Sequence, residues 1–302
     1  MDLLIVGTIG FDTVETPAGK SPDGLGGTAT FCSLSASFFT NAGIVACVGT
    51  DFSDDDFNLF KKNKVNLDGL SVIEGKTFAW GAKYHQNMNM RETLYTHLNV
   101  FESFTPNLPA AHKKTPYVFL ANIDPNLQMH VLEQVENPEV VALDTMNYWI
   151  EGTPDALKMA LTKARVLLVN DEEAEQLTGE KNILRAAQEI AKMGPEIVII
   201  KKGEHGALMI NDDEYFYAPA FPLDKVVDPT GAGDTFAGGF MGYLAMSKKV
   251  NKDILRRAMI YGSTMASFAV EDFSVNRLKT LTKNDIQVRF NAFHNLTAFE
   301  QE

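Results

Sequence analysis

The chain has 302 residues, 45% hydrophobic and 22% charged, an ordinary composition for a globular protein with one large domain or two smaller ones. Its net charge of −12 argues against a surface that binds nucleic acid or an anionic membrane. Two cysteines, Cys32 and Cys47, are too few for a disulfide framework or a Cys-x-x-Cys metal site and fit a reducing cytoplasm. The apolar start of the chain has no basic leader, so we expect a buried strand there rather than a signal peptide.

Short apolar runs rich in β-branched residues alternate with amphipathic segments along most of the chain. This alternation predicts a mostly parallel sheet covered by helices on both faces. The predicted strands are 3–9, 44–48, 117–121, 140–143, 166–169 and 197–200, and the predicted helices include 125–135, 155–164 and 182–193.

Residues 70–98 break this rhythm because they contain no helical pattern of useful length. Strand-like runs at 70–73, 77–84 and 91–97 predict a small antiparallel sheet instead. A small sheet beside an α/β body would form a lid over a cleft and exclude water from it. The alternative is a β insertion without a functional role.

The first strand leads through two glycines to Asp12. A glycine-rich turn at the carboxyl end of a parallel strand lies where α/β proteins bind ligands, so Asp12 could accept hydrogen bonds from two hydroxyls of a polyol. A simple turn aspartate fits the spacing equally well. Gly26 and Gly27 precede a predicted helix at 29–39 and would expose backbone N–H groups to a ligand.

Two further polar segments follow predicted strands. Asn170 and Glu173 have the spacing of a capping box, which also presents the glutamate at the start of a helix. Lys201, Lys202 and Gly203 follow the strand at 197–200. They predict either a positive site for an anion at the sheet edge or a solvated charge pair before a hairpin.

The segment 228–240, which begins Asp-Pro-Thr-Gly-Ala-Gly-Asp, carries the most information. Gly231 and Gly233 let the chain bend and let a ligand approach the backbone, and the first N–H groups of the following helix favour phosphate. Asp234 lies where a general base would lie if an alcohol attacked a phosphoryl group. A glycine turn with an aspartate favoured by the helix dipole is the alternative.

Three more glycines, Gly238, Gly239 and Gly242, fall inside this predicted helix. Each costs about 1 kcal/mol relative to alanine in a helix interior. A helix that contains all three is expected to pack closely against its neighbours.

Residues 228–234 resemble the C-terminal signature of the ribokinase-like, or pfkB, carbohydrate kinase family at every position. Members of that family transfer the γ-phosphoryl group of ATP to a hydroxyl of a sugar, a nucleoside or a related small molecule. The resemblance implies one ribokinase-like α/β domain over 1–302, a three-layer α/β/α sandwich with a mostly parallel sheet. It also implies a β lid drawn from roughly 12–30 and 70–98, through which many relatives dimerise.

The resemblance implies roles for the residues that match the family's motifs. The catalytic base would be Asp234, and the anion hole would consist of Gly231, Ala232 and Gly233. The implied substrate contacts are Asp12, Gly26, Gly27, Thr30 and Phe31. The implied ATP contacts are Lys201, Lys202, Gly203, Asp228, Thr230 and Ser263. The residues implied to organise Mg²⁺, through water, are Asn170 and Glu173.

The sequence departs from the family pattern in the substrate region. Many relatives have asparagine where this chain has Phe31, and some also have asparagine at the position of Gly10. A simple ribose-like binding mode therefore lacks two polar contacts. Phe31 could stack on a ring of the substrate, but packing in the core is at least as compatible with its chemistry.

The expected acceptor is a sugar, and the alternative is a nucleoside whose base could meet Phe78 or Trp80 of the predicted lid. A ligand-binding descendant without catalysis is a second alternative, although it would not need both Asp234 and the anion hole. A dinucleotide-dependent redox enzyme lacks its glycine fingerprint. The expected partners are a small-molecule substrate and a second copy of the chain through the lid, with no nucleic acid and no membrane.

Overall fold

A computed structural model describes residues 1–212 and 214–298. Its strands, in chain order, are β1 (Leu3–Val6), β2 (Gly10–Thr16), β3 (Gly19–Gly26), β4 (Ala42–Gly49), β5 (Asn66–Ile73), β6 (Phe78–Tyr84), β7 (Arg91–His97), β8 (Tyr117–Leu120), β9 (Val140–Asp144), β10 (Val166–Asn170), β11 (Ile197–Lys201), β12 (Ala207–Asn211) and β13 (Glu214–Ala218). Its helices are α1 (Thr28–Ala36), α2 (Asp54–Lys62), α3 (Pro125–Leu132), α4 (Asn147–Gly152), α5 (Pro154–Leu161), α6 (Asp171–Thr178), α7 (Ile183–Ala191), α8 (Ala232–Ser247), α9 (Lys252–Ala269), α10 (Asn276–Thr280) and α11 (Lys283–Thr297).

The large sheet has the strand order β13-β12-β11-β10-β9-β8-β1-β4-β5. Strands β11, β10, β9, β8, β1, β4 and β5 pair in parallel, and β12 pairs antiparallel with both of its neighbours. All six strands predicted from apolar runs lie in this sheet. The mostly parallel α/β architecture predicted from the alternation is therefore confirmed.

The small sheet has the order β3-β2-β6-β7 and lies apart from the large one. The prediction that 70–73 belongs to it is wrong, because this run is the end of β5, which pairs in parallel with β4. The strand begins with the polar residues Asn66 and Asp68, so its first half does not show the apolar pattern that predicts a strand. Helix α2 connects β4 to β5 as an ordinary parallel crossover, which carries β5 to the edge of the large sheet.

Helices cover both faces of the large sheet, so the domain has three layers. Alternate side chains of one strand enter different cores: Leu3 and Ile5 join the core with α1, α8 and α9, whereas Leu4 and Val6 join the core with α3. A third cluster packs α5 and α7 against β10 and β11. Within 1–212 and 214–298, no helix combines the length and apolar character needed to cross a membrane.

Helix α8 packs closely against α1 and α9, as its interior glycines predict. A Cβ added at Gly242 would lie 2.9 Å from the Cα of Ala36, and one at Gly239 would lie 2.8 Å from the carbonyl oxygen of Tyr261. A Cβ at Gly238 would collide with the carbonyl oxygen of Cys32. These close approaches fix the position of the first turn of α8 relative to the sheet.

Candidate active site

The candidate site lies at the carboxyl edge of the large sheet, where three neighbouring strands end in polar residues. Strand β9 ends at Asp144, β10 at Asn170 and β11 at Lys201. The register pairs Asn170 with Lys201, and Leu168 with Asp144. Because parallel strands present their carboxyl ends at one edge, these polar side chains gather there.

Asp144 and Lys201 form a nearly buried ion pair. The Lys201 Nζ lies 3.3 Å from the Asp144 Oδ2, and the two side chains are 16% and 7% exposed. Burial alone would lower the pKa of Lys201, but the carboxylates of Asp144, Glu173 and Asp234 outweigh burial and raise it, so the lysine stays protonated. Burial raises the pKa of Asp144, and Lys201 opposes that shift.

Asp144 was not predicted from the sequence. It directly follows the apolar run 140–143, so the rule that placed Asp12 at a strand end would have found it as well. Its other carboxylate oxygen accepts a hydrogen bond from the Thr145 N–H at 2.8 Å. Asp144 is therefore held from two sides.

The turn before α8 brings the backbone against Lys201. Gly231 has φ +72°, which only glycine adopts without strain, and it caps the helix that begins at Ala232. A Cβ at Gly233 would lie 3.3 Å from the Lys201 Nζ. The Ala232 N–H donates to the Pro229 oxygen at 3.2 Å. The Gly233 backbone and a protonated amine thus lie side by side at the start of the helix, an arrangement suited to an anion.

Asp234 lies in this first turn and is partly exposed. Its pKa is raised to about 7, first by burial and then by the charge of Asp144, while Lys201 and Arg91 oppose the shift. A carboxylate with a pKa near 7 changes protonation in the physiological range. It can therefore accept a proton from a bound hydroxyl.

Asp12 faces the same space from the small sheet. It is 7% exposed on β2 and accepts a hydrogen bond from the Gly27 N–H. Burial raises its pKa to about 7, and the charges of Asp228 and Asp234 add to the shift. Gly26 lies against the Asp12 carboxylate, where any side chain would collide with it. The Asp12 and Asp234 carboxylates therefore lie close enough for their charges to interact, although they belong to different elements.

Asn170 and Glu173 form the capping box that their spacing predicts. The Asn170 N–H donates to Glu173 Oε2 at 2.8 Å, and the Glu173 N–H donates to Asn170 Oδ1 at 2.7 Å. Burial raises the pKa of Glu173 to about 7, with Asp144 adding to the shift and Lys201 and Arg91 opposing it. Glu173 is thus both a cap and a member of the charge cluster.

Arg91 was not predicted as a site residue from the sequence. It contributes a positive charge from the small sheet. It begins β7, opposite Tyr84 in register, and its guanidinium carbon lies 5.7 Å from the centre of the Trp80 ring. Its charge lowers the pKa of both Asp234 and Glu173. The only sequence signal was a basic residue next to the hairpin of the predicted lid.

Three residues predicted to contact ligands are buried. Thr30 and Phe31 are 0% and 1% exposed inside α1, and the Phe31 ring packs against Gly231. Asp228 is 1% exposed, and its two oxygens accept from the Thr230 N–H at 2.8 Å and the Ser274 N–H at 3.2 Å. Asp228 therefore holds the turn together, and the contacts of all three residues with ligands stay predictions.

The remaining residues predicted to contact ATP lie in the turn after β11, in α9 and, for Thr230, in the turn directly before α8. The Lys202 N–H donates to the Gly206 oxygen at 2.7 Å and closes a short 3₁₀ turn, Gly203–His205. Gly203 lies against Asn89 in the connection between β6 and β7. Ser263 is 7% exposed within α9. Their contacts with ATP stay predictions.

This arrangement of two sheets and a glycine turn matches known structures. The nucleoside kinase of Methanocaldococcus jannaschii, an archaeal member of the ribokinase family, superposes with a TM-score of 0.76 at 20% identity, over 97% of this chain and 99% of that chain. The chain therefore has the ribokinase fold. The model of the pfkB family carbohydrate kinases matches residues 21–281, and the chain belongs to that family.

Two further relatives carry names that concern nucleosides. The cytidine kinase of Thermococcus kodakarensis is 27% identical over 249 residues, which are 80% of this chain and 88% of the relative. The nucleoside kinase of Burkholderia thailandensis, solved in complex with inosine, superposes with a TM-score of 0.77 at 20% identity, over 96% of this chain and 97% of that chain.

Proposed function

We propose that this protein is an ATP-dependent kinase that phosphorylates a hydroxyl of a nucleoside, rather than the free sugar favoured by the sequence. The observation that carries the kinase assignment is the set formed by Asp234, the glycine turn and the ion-paired Lys201. The cytidine kinase relative supports a nucleoside acceptor, since it matches most of this chain. A sugar acceptor is the second candidate, because the family model describes carbohydrate kinases.

The small sheet supports a nucleoside through Trp80. Trp80 is the register partner of Asp12, so both side chains lie on one face of the small sheet. An aromatic side chain next to a carboxylate would suit a ligand with both a base and a polyol. Phe78, the other lid aromatic, packs against Gly10 and Phe101 instead and is less available to a ligand.

In this proposal the acceptor hydroxyl lies between Asp12 and Asp234. Asp12 accepts hydrogen bonds from hydroxyls and orients them, and Asp234 takes the proton of the attacking oxygen. In a loose transition state that proton leaves late, so an aspartate of ordinary or moderately raised basicity suffices. Because the pKa of Asp234 is about 7, we expect the rate to rise with pH up to that value.

The charge that develops on the transferred phosphoryl group would meet preorganised donors. The backbone N–H groups of the first turn of α8 point away from the helix, and Lys201 lies next to Gly233. Donors fixed in this way lower the barrier because they need no reorganisation during the reaction. Arg91 would add a second cation from the side of the small sheet.

The site is compatible with Mg²⁺ bound through phosphate. Within 1–212 and 214–298, no group of three or more His, Cys, Asp or Glu side chains could hold a metal ion by itself. Mg²⁺ usually keeps several waters and takes phosphate oxygens, so Asn170 and Glu173, with Asp144 nearby, fit it as partners. When bound there, the ion would neutralise charge on the phosphates of ATP.

The outer face of the small sheet is the surface that we propose for dimerisation. Phe11, Ala79, Tyr95 and His97 line a depression of about 690 Å³ on this side, and β7 is exposed along nearly its whole length. The molar mass in solution tests the proposal: a dimer that Tyr95→Asp converts to monomer supports it, and a monomeric wild type contradicts it.

ADP release with Mg-ATP, measured across a panel of nucleosides and sugars, tests the proposed activity. We expect one class to give a strong signal that Asp234→Asn abolishes. A strong signal from sugars alone would reassign the acceptor. Silence across the panel with ATP binding intact would instead indicate a protein that binds without catalysing.

A further inference from the structure

Tyr84 connects the small sheet to the glycine turn. It ends β6, is 7% exposed, and its phenol oxygen accepts a hydrogen bond from the Thr230 hydroxyl at 3.2 Å. Thr230 directly precedes Gly231, the residue that caps α8. This bond therefore joins parts of the chain that are 146 residues apart and that both face the candidate site.

Tyr84 also adjoins Arg91. The two residues are direct partners in the register of β6 and β7, so their side chains share one face of the small sheet. Burial raises the pKa of Tyr84, and the Thr230 hydroxyl, which donates to the phenol oxygen, and the positive charge of Arg91 both oppose this shift. The Tyr84 hydroxyl is thus hydrogen-bonded to the turn and lies on the face of the small sheet that carries Arg91.

Other contacts hold the small sheet in place without this hydroxyl. The Tyr84 ring belongs to a small apolar cluster with Val14 and Ala82, against which Phe273 packs. The Ser274 hydroxyl donates to the Leu25 oxygen at 2.6 Å. The Thr16 hydroxyl donates to the Val227 oxygen at 2.8 Å. Replacement of Tyr84 by phenylalanine would keep the ring in its cluster and leave these bonds intact.

We propose that Tyr84 is a positioning residue whose hydroxyl aligns the glycine turn with Arg91 when the small sheet covers the site. The Thr230 side chain reaches this hydroxyl while its backbone N–H is held by Asp228, so the turn is fixed from both sides immediately before the anion-binding N–H groups. Tyr84 acts through Thr230 and Arg91 and need not touch the substrate. The inference rests on the proposed kinase function of the same site.

A double-mutant cycle with Tyr84→Phe and Thr230→Val tests the coupling. Each single substitution should lower kcat by about tenfold, the scale of one lost hydrogen bond, while the KM for ATP and for the acceptor changes by less than about twofold. The double variant should be about as slow as either single one, because all three lack the same bond. Fully additive losses would overturn the proposal, as would a lower melting temperature with unchanged kcat.

Tyr117→Phe is the matched control. Tyr117 is a buried tyrosine at the amino end of β8, 2% exposed, and its hydroxyl has no hydrogen-bond partner within the described residues. The substitution removes the same group far from the site. It should leave kcat unchanged, and an equal loss in both variants would contradict a positioning role for Tyr84.

Hydrogen exchange gives a readout that does not depend on activity. In the free protein, Tyr84→Phe should speed amide exchange in 229–234 and in 85–91 by several-fold relative to wild type, and Tyr117→Phe should not. Unchanged exchange in both segments would overturn the inference whatever the substrate. Faster exchange together with no kinase activity in the wild type would leave the coupling supported and the proposed function contradicted.

Discussion

Helix α8 and the small sheet both carry residues of the candidate site, but they are held in opposite ways. The first turn of α8 is fixed by a helix whose glycines lie against the backbones of α1 and α9. The small sheet rests on a small apolar cluster and a few hydroxyl hydrogen bonds, and its strand β7 is almost fully exposed. The first turn of α8 is therefore anchored in the core, whereas Asp12 and Arg91 lie on the sheet that has the smaller apolar contact with the rest of the molecule.

The largest expected effect is the loss of the base on the rigid side. Asp234→Asn should lower kcat by about 10²–10⁴-fold, the range attributed to general-base catalysis, with the fold preserved. Steady-state kinetics measure the loss of kcat, and a melting curve shows whether the fold is preserved. Asp253→Asn, at an exposed acidic residue in the first turn of α9, is the matched control and should keep full activity. Near-normal turnover of Asp234→Asn would disprove the mechanism.

Lys201→Met should affect both activity and stability. It removes a cation next to the anion-binding turn, so we expect kcat to fall by about 10²–10³-fold. It also leaves Asp144 buried without its partner, which costs about 3–5 kcal/mol of unfolding free energy.

The double variant Lys201→Met with Asp144→Leu separates the two effects. Removal of both charges should restore most of the stability, measured by urea unfolding, without restoring kcat. Recovery of activity together with stability would mean that the ion pair is only structural.

Arg91→Gln should lower kcat by about tenfold or more with little change in unfolding free energy, because the residue is on an exposed strand of the small sheet. Lys201→Met, in contrast, should lower both kcat and the unfolding free energy. Arg165→Gln serves as the control, since Arg165 is an exposed arginine that pairs with Glu196 away from the site. A stability loss in Arg91→Gln equal to that in Lys201→Met would remove the distinction between the two regions.

The smallest effect concerns pH and stability. Burial raises the pKa of Asp12, Glu173 and Asp234 to about 7. Each folded pKa exceeds the unfolded value of about 4, so the folded state binds more protons between these values. The stability contributed by these groups is therefore present at pH 4 and is lost as the pH rises through about 7.

Asp234→Asn should consequently raise the melting temperature at pH 8 and change it less at pH 5.5. Each kcal/mol corresponds to about 2–4 °C in domains of 150–250 residues, so a shift of a few degrees is expected. Comparison with the wild type at each pH cancels opposing groups such as His112, whose pKa burial lowers. A variant less stable than wild type at pH 8 would contradict the charge argument.

The fold and the rigid half of the site could be predicted because both depend on local patterns. Apolar runs of strand length predicted the large sheet, and the glycines at 231, 233, 238, 239 and 242 indicated both the turn before α8 and the close packing of α8. The capping box at Asn170 and Glu173 is local as well, since three residues determine its geometry.

The features that were missed depend on contacts between distant parts of the chain. Asp144 belongs to the site because it pairs with Lys201 on another strand. Arg91 belongs to it because its charge, carried on β7, lowers the pKa of Asp234. Residues 70–73 look like part of a local β meander, and only their pairing with β4 assigns them to the large sheet. The burial of Thr30, Phe31 and Asp228 likewise depends on how α1 and the turn pack, which the family motifs do not specify.

The packing of α8 against α1 has a consequence for biogenesis. The Ser35 hydroxyl donates to the Thr235 oxygen at 2.7 Å across 200 residues of sequence. During synthesis, the apolar face formed by β1, β4 and α1 must wait for α8 to leave the ribosome before it is covered. Such long-range closure slows folding and prolongs the exposure of apolar surface. A nascent chain halted before α8 should therefore bind chaperones, and release from them should coincide with emergence of α8.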